Sequence, residues 1–86
     1  MKWRTRFEPG ARADLRKINR RAAMGILRKL AELETDPYGF GTTELVSRAG
    51  VRRLRVGDYR VFYTLEHGEL VVWVVVVAHR STVYQD

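Results

Sequence analysis

Cysteine is missing from this chain of 86 residues. Its absence excludes disulfide bonds, thiol catalysis and cysteine-based zinc sites, and it is compatible with a reducing cytosol. Long hydrophobic runs are missing too. The longest apolar stretch, residues 70–78, has nine residues, whereas a membrane-spanning helix needs about 20. The N-terminal segment contains no apolar run of the kind found in signal peptides. We therefore expect a soluble, cytoplasmic protein that does not associate with membranes.

Acidic residues are scarce relative to basic ones. The chain has 10 Asp and Glu against 16 Lys and Arg, for a net charge of +6 and a sequence pI of about 10.3. Such a balance favours polyanionic partners, namely RNA, DNA, an anionic membrane or an acidic protein, although a basic soluble surface alone has the same composition. The length and a hydrophobic content of 45% predict one small domain over residues 1–86, with a thin core.

Familiar catalytic motifs are also absent. We find no P-loop, no GxSxG and no pair of carboxylates with a plausible geometry. The two histidines have no carboxylate at ligand spacing, so we expect neither a metal site nor a cofactor.

Hydrophobic periodicity predicts an α+β fold that begins with a strand and an αα-hairpin. Residues 2–7 alternate charged and bulky side chains, as in a short strand. Ala11, Leu15 and Ile18 then recur at helical spacing, and a second apolar stripe predicts a helix over residues 20–34. The short connection between the helices is typical of an αα-hairpin.

The C-terminal half predicts a three-stranded antiparallel meander. Residues 39–50 form a glycine-containing loop, and strands follow at 51–56, 59–65 and 70–78. The last of these is almost all valine, which indicates a central strand buried on both faces. The predicted order is therefore β-α-α-β-β-β, with the helices packed on one face of a mostly antiparallel sheet.

Arginines concentrate on one face of the predicted hairpin. Arg53 and Arg55 should project together because strand positions two apart face the same side. Arg60 lies on the returning strand, and Arg80, just beyond the last strand, can approach it. Converging guanidiniums repel one another unless an anion lies among them, and their planar forks suit phosphate. The alternative is a solvated sheet face whose charges discourage aggregation, which we prefer for Arg52.

Two further side chains could contribute chemistry. Tyr84 could stack on a base or donate a hydrogen bond to phosphate, or it could pack on the sheet edge. His79 could act as a general acid or base, a role that histidine often takes in enzymes. Alternation points His79 away from Arg80, so a structural role is an equal alternative. We assign no role to His67, which lies in a predicted turn.

These segments together resemble the RelE/ParE toxin superfamily, and specifically the RelE-type toxins of bacterial type II toxin–antitoxin pairs. The similarity covers nearly the whole chain. It includes the N-terminal strand, the segment ARADLRKI over residues 11–18 and the second helix ending near a proline, but it rests mainly on RLRVGDYRVFY at residues 53–63 and HRSTVY at residues 79–84.

The resemblance implies a metal-free, ribosome-dependent endoribonuclease that cleaves mRNA in the decoding site and halts translation, with the ribose 2′-hydroxyl as the attacking group. Arg53 and Arg55 match basic residues, often lysine, that help to activate the nucleophile and hold phosphate. Arg60 matches an arginine that stabilises transition-state charge, and Arg80 matches one near the leaving 5′-oxygen. Tyr84 matches a tyrosine that stacks on or orients the base. All four arginines would contact RNA.

Arginine is a poor general base. Arg53 and Arg55 would therefore act electrostatically, with the ribosome or His79 assisting proton transfer.

The resemblance also implies partners and rivals. The partners would be an acidic antitoxin, the ribosome and mRNA, with operator DNA contacted only through the antitoxin complex. One alternative is a ParE-type toxin of the same fold directed at DNA gyrase, although such members generally lack the full basic-plus-tyrosine set. The other is a non-catalytic nucleic-acid-binding module whose arginines only contact phosphate.

Overall fold

The computed structural model describes residues 2–82, and the α+β fold follows the predicted order with one addition. The additional strand is short and lies within residues 39–50, which the sequence predicted to be a loop. The elements are β1 (Arg4–Phe7), α1 (Pro9–Lys17), α2 (Arg20–Leu33), β2 (Thr42–Glu44), β3 (Val51–Val56), β4 (Tyr59–Glu66), β5 (Val71–His79) and a final 3-10 turn (Arg80–Thr82).

The five strands form one mixed sheet in the order β1-β5-β4-β3-β2. Strands β3, β4 and β5 make the predicted antiparallel meander, and β2 adds to β3 in the antiparallel direction. β1 pairs with β5 in parallel. Its pairing starts where Arg4 N donates to Leu70 O at 2.8 Å, and Glu8 N donates to Val74 O at 2.9 Å beyond its end. The helices carry the chain away from β1, so this strand can align with β5 without a hairpin.

The burial of the valine-rich strand differs from the prediction, although its interior position in the sheet is confirmed. β5 lies between β1 and β4, and β4 is the middle strand of the five. On β5, Val71, Val72, Val74 and Val77 are buried, whereas Val75 and Val76 are only half-buried. Both helices cover the same face of the sheet, so no helix covers Val76, which lies opposite Phe62 on the other face. A continuous apolar run therefore does not signal burial on both faces here.

The core lies between that covered face and the two helices. Helix α2 begins at an N-cap, Asn19, whose side chain accepts a hydrogen bond from Ala22 N at 2.8 Å. Its apolar stripe then packs against alternate residues of the sheet. The fully or nearly fully buried members of this cluster are Ala11, Ile26, Leu30, Leu33, Leu54, Val61, Tyr63, Val72, Val74 and Val77. Helix α1 is fastened to β5 by Asp14, whose carboxylate accepts from Val77 N at 3.1 Å.

A buried tyrosine holds the loop between α2 and β2. The hydroxyl of Tyr63, a residue with no exposed surface, donates to Pro37 O at 2.6 Å and accepts from Arg52 Nε at 3.3 Å. Arg52 Nη2 also donates to Thr42 Oγ1 at 2.9 Å, and its guanidinium lies 4.8 Å from the centre of the Tyr38 ring. Arg52 therefore positions the loop and is not the solvated surface charge that its sequence position suggested.

Removing the Tyr63 hydroxyl should destabilise the protein. Tyr63→Phe leaves the Pro37 carbonyl without its donor inside the fold, so we expect the free energy of unfolding to fall by about 1–3 kcal/mol in urea titrations. Tyr59→Phe is the matched control because the Tyr59 ring contact with His79 needs no hydroxyl. Equal stability of the Tyr63→Phe variant and the wild type would contradict this assignment.

Candidate functional site

The strand register places three of the predicted arginines on the uncovered face of the sheet. Arg55 on β3 lies directly opposite Arg60 on β4, and Arg53 lies opposite Phe62. Leu54, between the two β3 arginines, points into the core. Because residues directly opposite in an antiparallel pair share a face, the guanidiniums of Arg53, Arg55 and Arg60 emerge on the side away from the helices.

The electrostatics of Arg60 reflect this crowding. Burial lowers the pKa of Arg60 from its usual value, and the positive charges of Arg55, Arg53 and Arg80 lower it further. The Asp58 carboxylate acts in the opposite direction. Arginine starts from so high a pKa that the guanidinium remains protonated near neutral pH. The fold thus holds a cation where other cations repel it, and a bound anion would relieve that repulsion.

The tight turn between β3 and β4 positions Arg60 and Arg80. Arg60 Nη1 donates to Gly57 O and to Tyr59 O, each at 3.0 Å, which folds the side chain back over the turn. Gly57 has a φ of 57°, a left-handed conformation that glycine adopts without strain. Arg80 approaches from the 3-10 turn: its backbone N donates to Asp58 O at 2.7 Å, and its Nε lies 3.5 Å from Asp58 Oδ1.

Asp58 is a site residue that sequence reasoning missed. The Gly57-Asp58 dipeptide predicts a turn, and nothing in its spacing reveals that the carboxylate pairs with an arginine 22 positions further along the chain. The available signal was an acidic residue in a two-residue turn flanked by arginines. The Asp58 carboxylate raises the pKa of Arg60, so it partly offsets the local positive charge.

His79 lies away from the arginine cluster. It is the strand partner of Tyr59 on the helix-covered face, and the two rings meet edge-on with centroids 5.3 Å apart. His79 Nδ1 accepts from Ser81 N at 3.1 Å and lies 2.9 Å from Ser81 Oγ. A backbone N–H can only donate, so Nδ1 is occupied as an acceptor. A role for His79 in proton transfer stays a prediction. Tyr84 lies outside the described residues.

Two open grooves flank the arginines. One, of about 540 Å³, runs along β3 and the loop before β2, where it is lined by Phe40, Gly41, Thr42, Thr43, Arg53, Arg55 and Gly57. We call it the basic groove. The other, of about 460 Å³, crosses the uncovered sheet face and is largely apolar, with Val51, Phe62, Val75, Val76 and Ala78 in its lining. We call it the apolar groove.

Within residues 2–82, no three His, Cys, Asp or Glu side chains are grouped so that they could hold a metal ion. Among the same residues, no helix has the length and apolar character needed to cross a bilayer.

Comparisons with known proteins identify the class to which this fold and site belong. Residues 5–84 match the family described as the ParE toxin of the type II toxin–antitoxin system parDE. The chain belongs to this family, and thus to the RelE/ParE toxin superfamily. The comparison with curated proteins found no match.

Solved structures of RelE toxins share the fold. The toxin–antitoxin complex RelBE2 from Mycobacterium tuberculosis matches with a TM-score of 0.82 and 26% identity, covering 93% of this chain and 100% of that chain. A mutant of the E. coli toxin RelE in complex with an antitoxin RelBc peptide matches with a TM-score of 0.79 and 26% identity, covering 98% and 92%. The RelE–RelB complex from Pyrococcus horikoshii, at 22% identity and a TM-score of 0.80, covers 96% and 100% and shows the fold alone.

The repulsion within the cluster predicts that a small polyanion stabilises the protein. Tripolyphosphate should raise the thermal midpoint by several degrees at low ionic strength, because a ligand that binds only the folded state raises its free energy of unfolding. Arg55→Ala should lose much of that rise. Arg28→Ala, which removes an exposed arginine from α2 and so changes the net charge equally, should keep it. Equal rises in both variants would argue for a diffuse charge effect and against a site.

Proposed function

We propose that this type II toxin is a ribosome-dependent endoribonuclease that cleaves mRNA and inhibits translation in the cytoplasm. The observation that carries the proposal is the convergence of four arginines: the strand register places Arg53, Arg55 and Arg60 on one face, and Asp58 ties Arg80 to the turn that holds Arg60. Such a cluster suits a reaction in which negative charge develops on a phosphate.

The reaction we propose needs only groups of the RNA and cations of the protein. The ribose 2′-oxygen forms a bond to the adjacent phosphorus while the bond from phosphorus to the 5′-oxygen breaks. The 2′-hydroxyl loses its proton and the departing 5′-oxygen gains one, which leaves a 2′,3′-cyclic phosphate and a 5′-hydroxyl. Arg60, fixed by two backbone carbonyls, would face the charged phosphate oxygens. Arg80, held by Asp58, would stand near the leaving oxygen.

Arg53 and Arg55 would act on the nucleophile through their charge. A guanidinium cannot serve as a base near neutral pH, but nearby positive charge lowers the pKa of a hydroxyl. The proton itself would pass to a group of the ribosome or to His79; the orientation of His79 toward Tyr59 favours the ribosome. Tyr84 would orient or stack on the substrate base, as the resemblance implies.

A ParE-type action on DNA gyrase is the second candidate, and the family match over residues 5–84 favours it. The solved structures at 26% identity are RelE toxins, and the complete set of arginines supports RNA cleavage. A non-catalytic nucleic-acid-binding module would also use such a cationic face, but it needs no fixed pair like Arg60 and Arg80.

An acidic antitoxin is the partner we propose. The RelBE2 structure from M. tuberculosis is a toxin–antitoxin complex, and the mutant E. coli RelE was solved with an antitoxin RelBc peptide. An acidic polypeptide would neutralise the arginine face, and its apolar side chains could cover the apolar groove beside it. Operator DNA would then be bound through the antitoxin, and mRNA through the ribosome.

Substituting the fixed arginines should separate these functions. We expect Arg60→Ala and Arg80→Ala each to slow cleavage of ribosome-bound mRNA by about 100- to 1,000-fold, as loss of one preorganised charge partner does in other enzymes. Primer extension on programmed ribosomes measures the cleavage rate, and cosedimentation measures ribosome binding, which should change only a few-fold. Arg28→Ala should behave as wild type in both assays.

Two outcomes would count against RNA cleavage, and a third would count against the role of the arginines. Wild-type protein that inhibits DNA supercoiling by gyrase and leaves ribosome-bound mRNA intact would be a ParE-type toxin. Wild-type protein that binds RNA without cutting it, with affinity reduced in proportion in the variants, would be a binding module. Unchanged cleavage in both variants would remove the arginines from the mechanism.

A further inference from the structure

We propose that Phe40 is a stacking platform for one RNA base beside Arg53 and Arg55, and thereby helps to select the sequence that is cut. The proposal rests on the RNA-directed function proposed above and adds to it a binding residue on a different segment from Tyr84.

The exposure of Phe40 is unusual for an aromatic side chain. It is 100% exposed, whereas Met24 and Leu27 on α2 are 48% and 40% exposed. A phenylalanine in water forgoes the free energy that burying its ring would release. Contact with a planar apolar surface would recover that free energy, and a nucleobase offers one.

The loop presents Phe40 on a well-tied backbone. Gly39 N donates to Asp36 O at 3.1 Å, and both the backbone N and the Oγ1 of Thr42 donate to Gly39 O, at 3.3 and 2.8 Å. On the other side, Gly41 O accepts from Arg55 N at 3.0 Å. Gly41 has a φ of 87°, which only glycine adopts readily. These bonds tie the peptide on each side of Phe40 before any ligand binds, which reduces the entropy lost on binding.

The groove beside Phe40 combines an aromatic ring with cations. Arg53 and Arg55 line the same cleft of about 540 Å³ as Phe40 and Gly57, and Arg55 N donates to the carbonyl of Gly41, the residue next to Phe40. Proteins that hold single-stranded nucleic acid combine positive charge along the backbone path with aromatic rings under the bases. A strand whose phosphates contact Arg53 and Arg55 would therefore have a base within reach of the Phe40 ring.

An apolar peptide segment suits this groove less well than RNA does. Apart from Phe40, its side chains are two threonines and two arginines, which would lose their hydration against an apolar segment. The apolar groove on the sheet, with Val51, Phe62 and Val76, offers an apolar segment a better surface. The opposite side of Phe40 borders a hollow that contains Lys29, Glu32 and Asp36. Lys29 Nζ lies 3.6 Å from Glu32 Oε1, so two carboxylates outweigh one ammonium there, and a phosphate would be held less well than beside Arg53 and Arg55. The base should thus lie on the arginine side.

The test measures stacking directly with a fluorescent base. Ribosomes are programmed with an mRNA whose codon in the decoding site carries 2′-O-methyl groups, so that it binds without being cut. 2-Aminopurine replaces each codon position in turn, since its fluorescence is quenched by stacking. We expect wild-type protein to quench the fluorescence of the probe at one of the codon positions. In Phe40→Ala, the quenching at that position should be lost. Affinity for the programmed ribosome should fall about tenfold, within the usual effect of losing one stacked base.

Three variants make the result specific. Phe40→Trp should retain quenching because it keeps an aromatic face, and Phe40→Leu, which keeps apolar surface but not the ring, should behave like Phe40→Ala. Val46→Ala removes another exposed apolar side chain, 89% exposed, from the segment after β2, and should match wild type. On cleavable mRNA, Phe40→Ala should also change which codons are cut and leave cleavage chemistry at the preferred sites in place.

Failure of this inference can be distinguished from failure of the proposed function. If wild-type protein cleaves mRNA and Phe40→Ala has the same quenching, affinity and cut sites, Phe40 has no role and the endoribonuclease stands. If Phe40→Leu quenches as wild type does, the contact is not stacking and the inference is wrong. If Phe40→Ala loses binding of a copurifying antitoxin while its RNA behaviour is unchanged, Phe40 belongs to a protein interface. Wild-type protein that neither binds nor cuts mRNA on ribosomes overturns both proposals.

Discussion

The position of β4 between β3 and β5 is the constraint on which the rest of the structure depends. Its register opposes Arg60 to Arg55 on one side and to Ala78 on the other. The same register opposes Val61 to Leu54 and Val77 in the core. Because side chains alternate between faces, a slip of one residue would send the arginines under the helices and the core residues into solvent. Core packing and the assembly of the site are thus both fixed by the register of β4 with its two neighbouring strands.

That pairing creates an electrostatic cost on the uncovered face. Arg60 is partly buried among three other arginines, and its pKa is lowered as a result. The turn that joins β3 to β4 offsets the cost locally: its carbonyls accept from Arg60, and Asp58 pairs with Arg80. These bonds hold the guanidiniums in place in the absence of an anion. In the reaction that we propose, a phosphate that gains charge would meet cations already oriented toward it, an arrangement that lowers the barrier.

Local patterns in the sequence were sufficient for much of the fold. The helices and the β3–β5 meander follow from periodicity, because each of these elements buries one face. The parallel position of β1 and the short strand β2 could not be predicted. Both depend on which edges of the sheet remain open after the helices pack. The run at residues 70–78 misled for the same reason, since half-buried Val75 and Val76 look identical in sequence to buried Val72 and Val74.

The candidate site was predictable where it depends on alternation and not where it depends on contacts distant in sequence. Arg53, Arg55 and Arg60 share a face through strand geometry alone. The pairing of Asp58 with Arg80, the role of Arg52 under Tyr38 and the exposure of Phe40 arise from tertiary neighbours. Local sequence patterns carry no information about such tertiary contacts. Asp58 was therefore predicted only as a turn residue, and Arg52 only as a surface charge.

The central claim is that the arginine face cuts mRNA during translation. Sequencing RNA ends after brief induction of the chain in cells tests it most directly. We predict new ends inside translated frames, with 2′,3′-cyclic phosphates on the upstream fragments, that disappear when translation initiation is blocked. Growth arrest with unchanged RNA ends would contradict the claim, and so would new ends that are equally frequent in untranslated RNA.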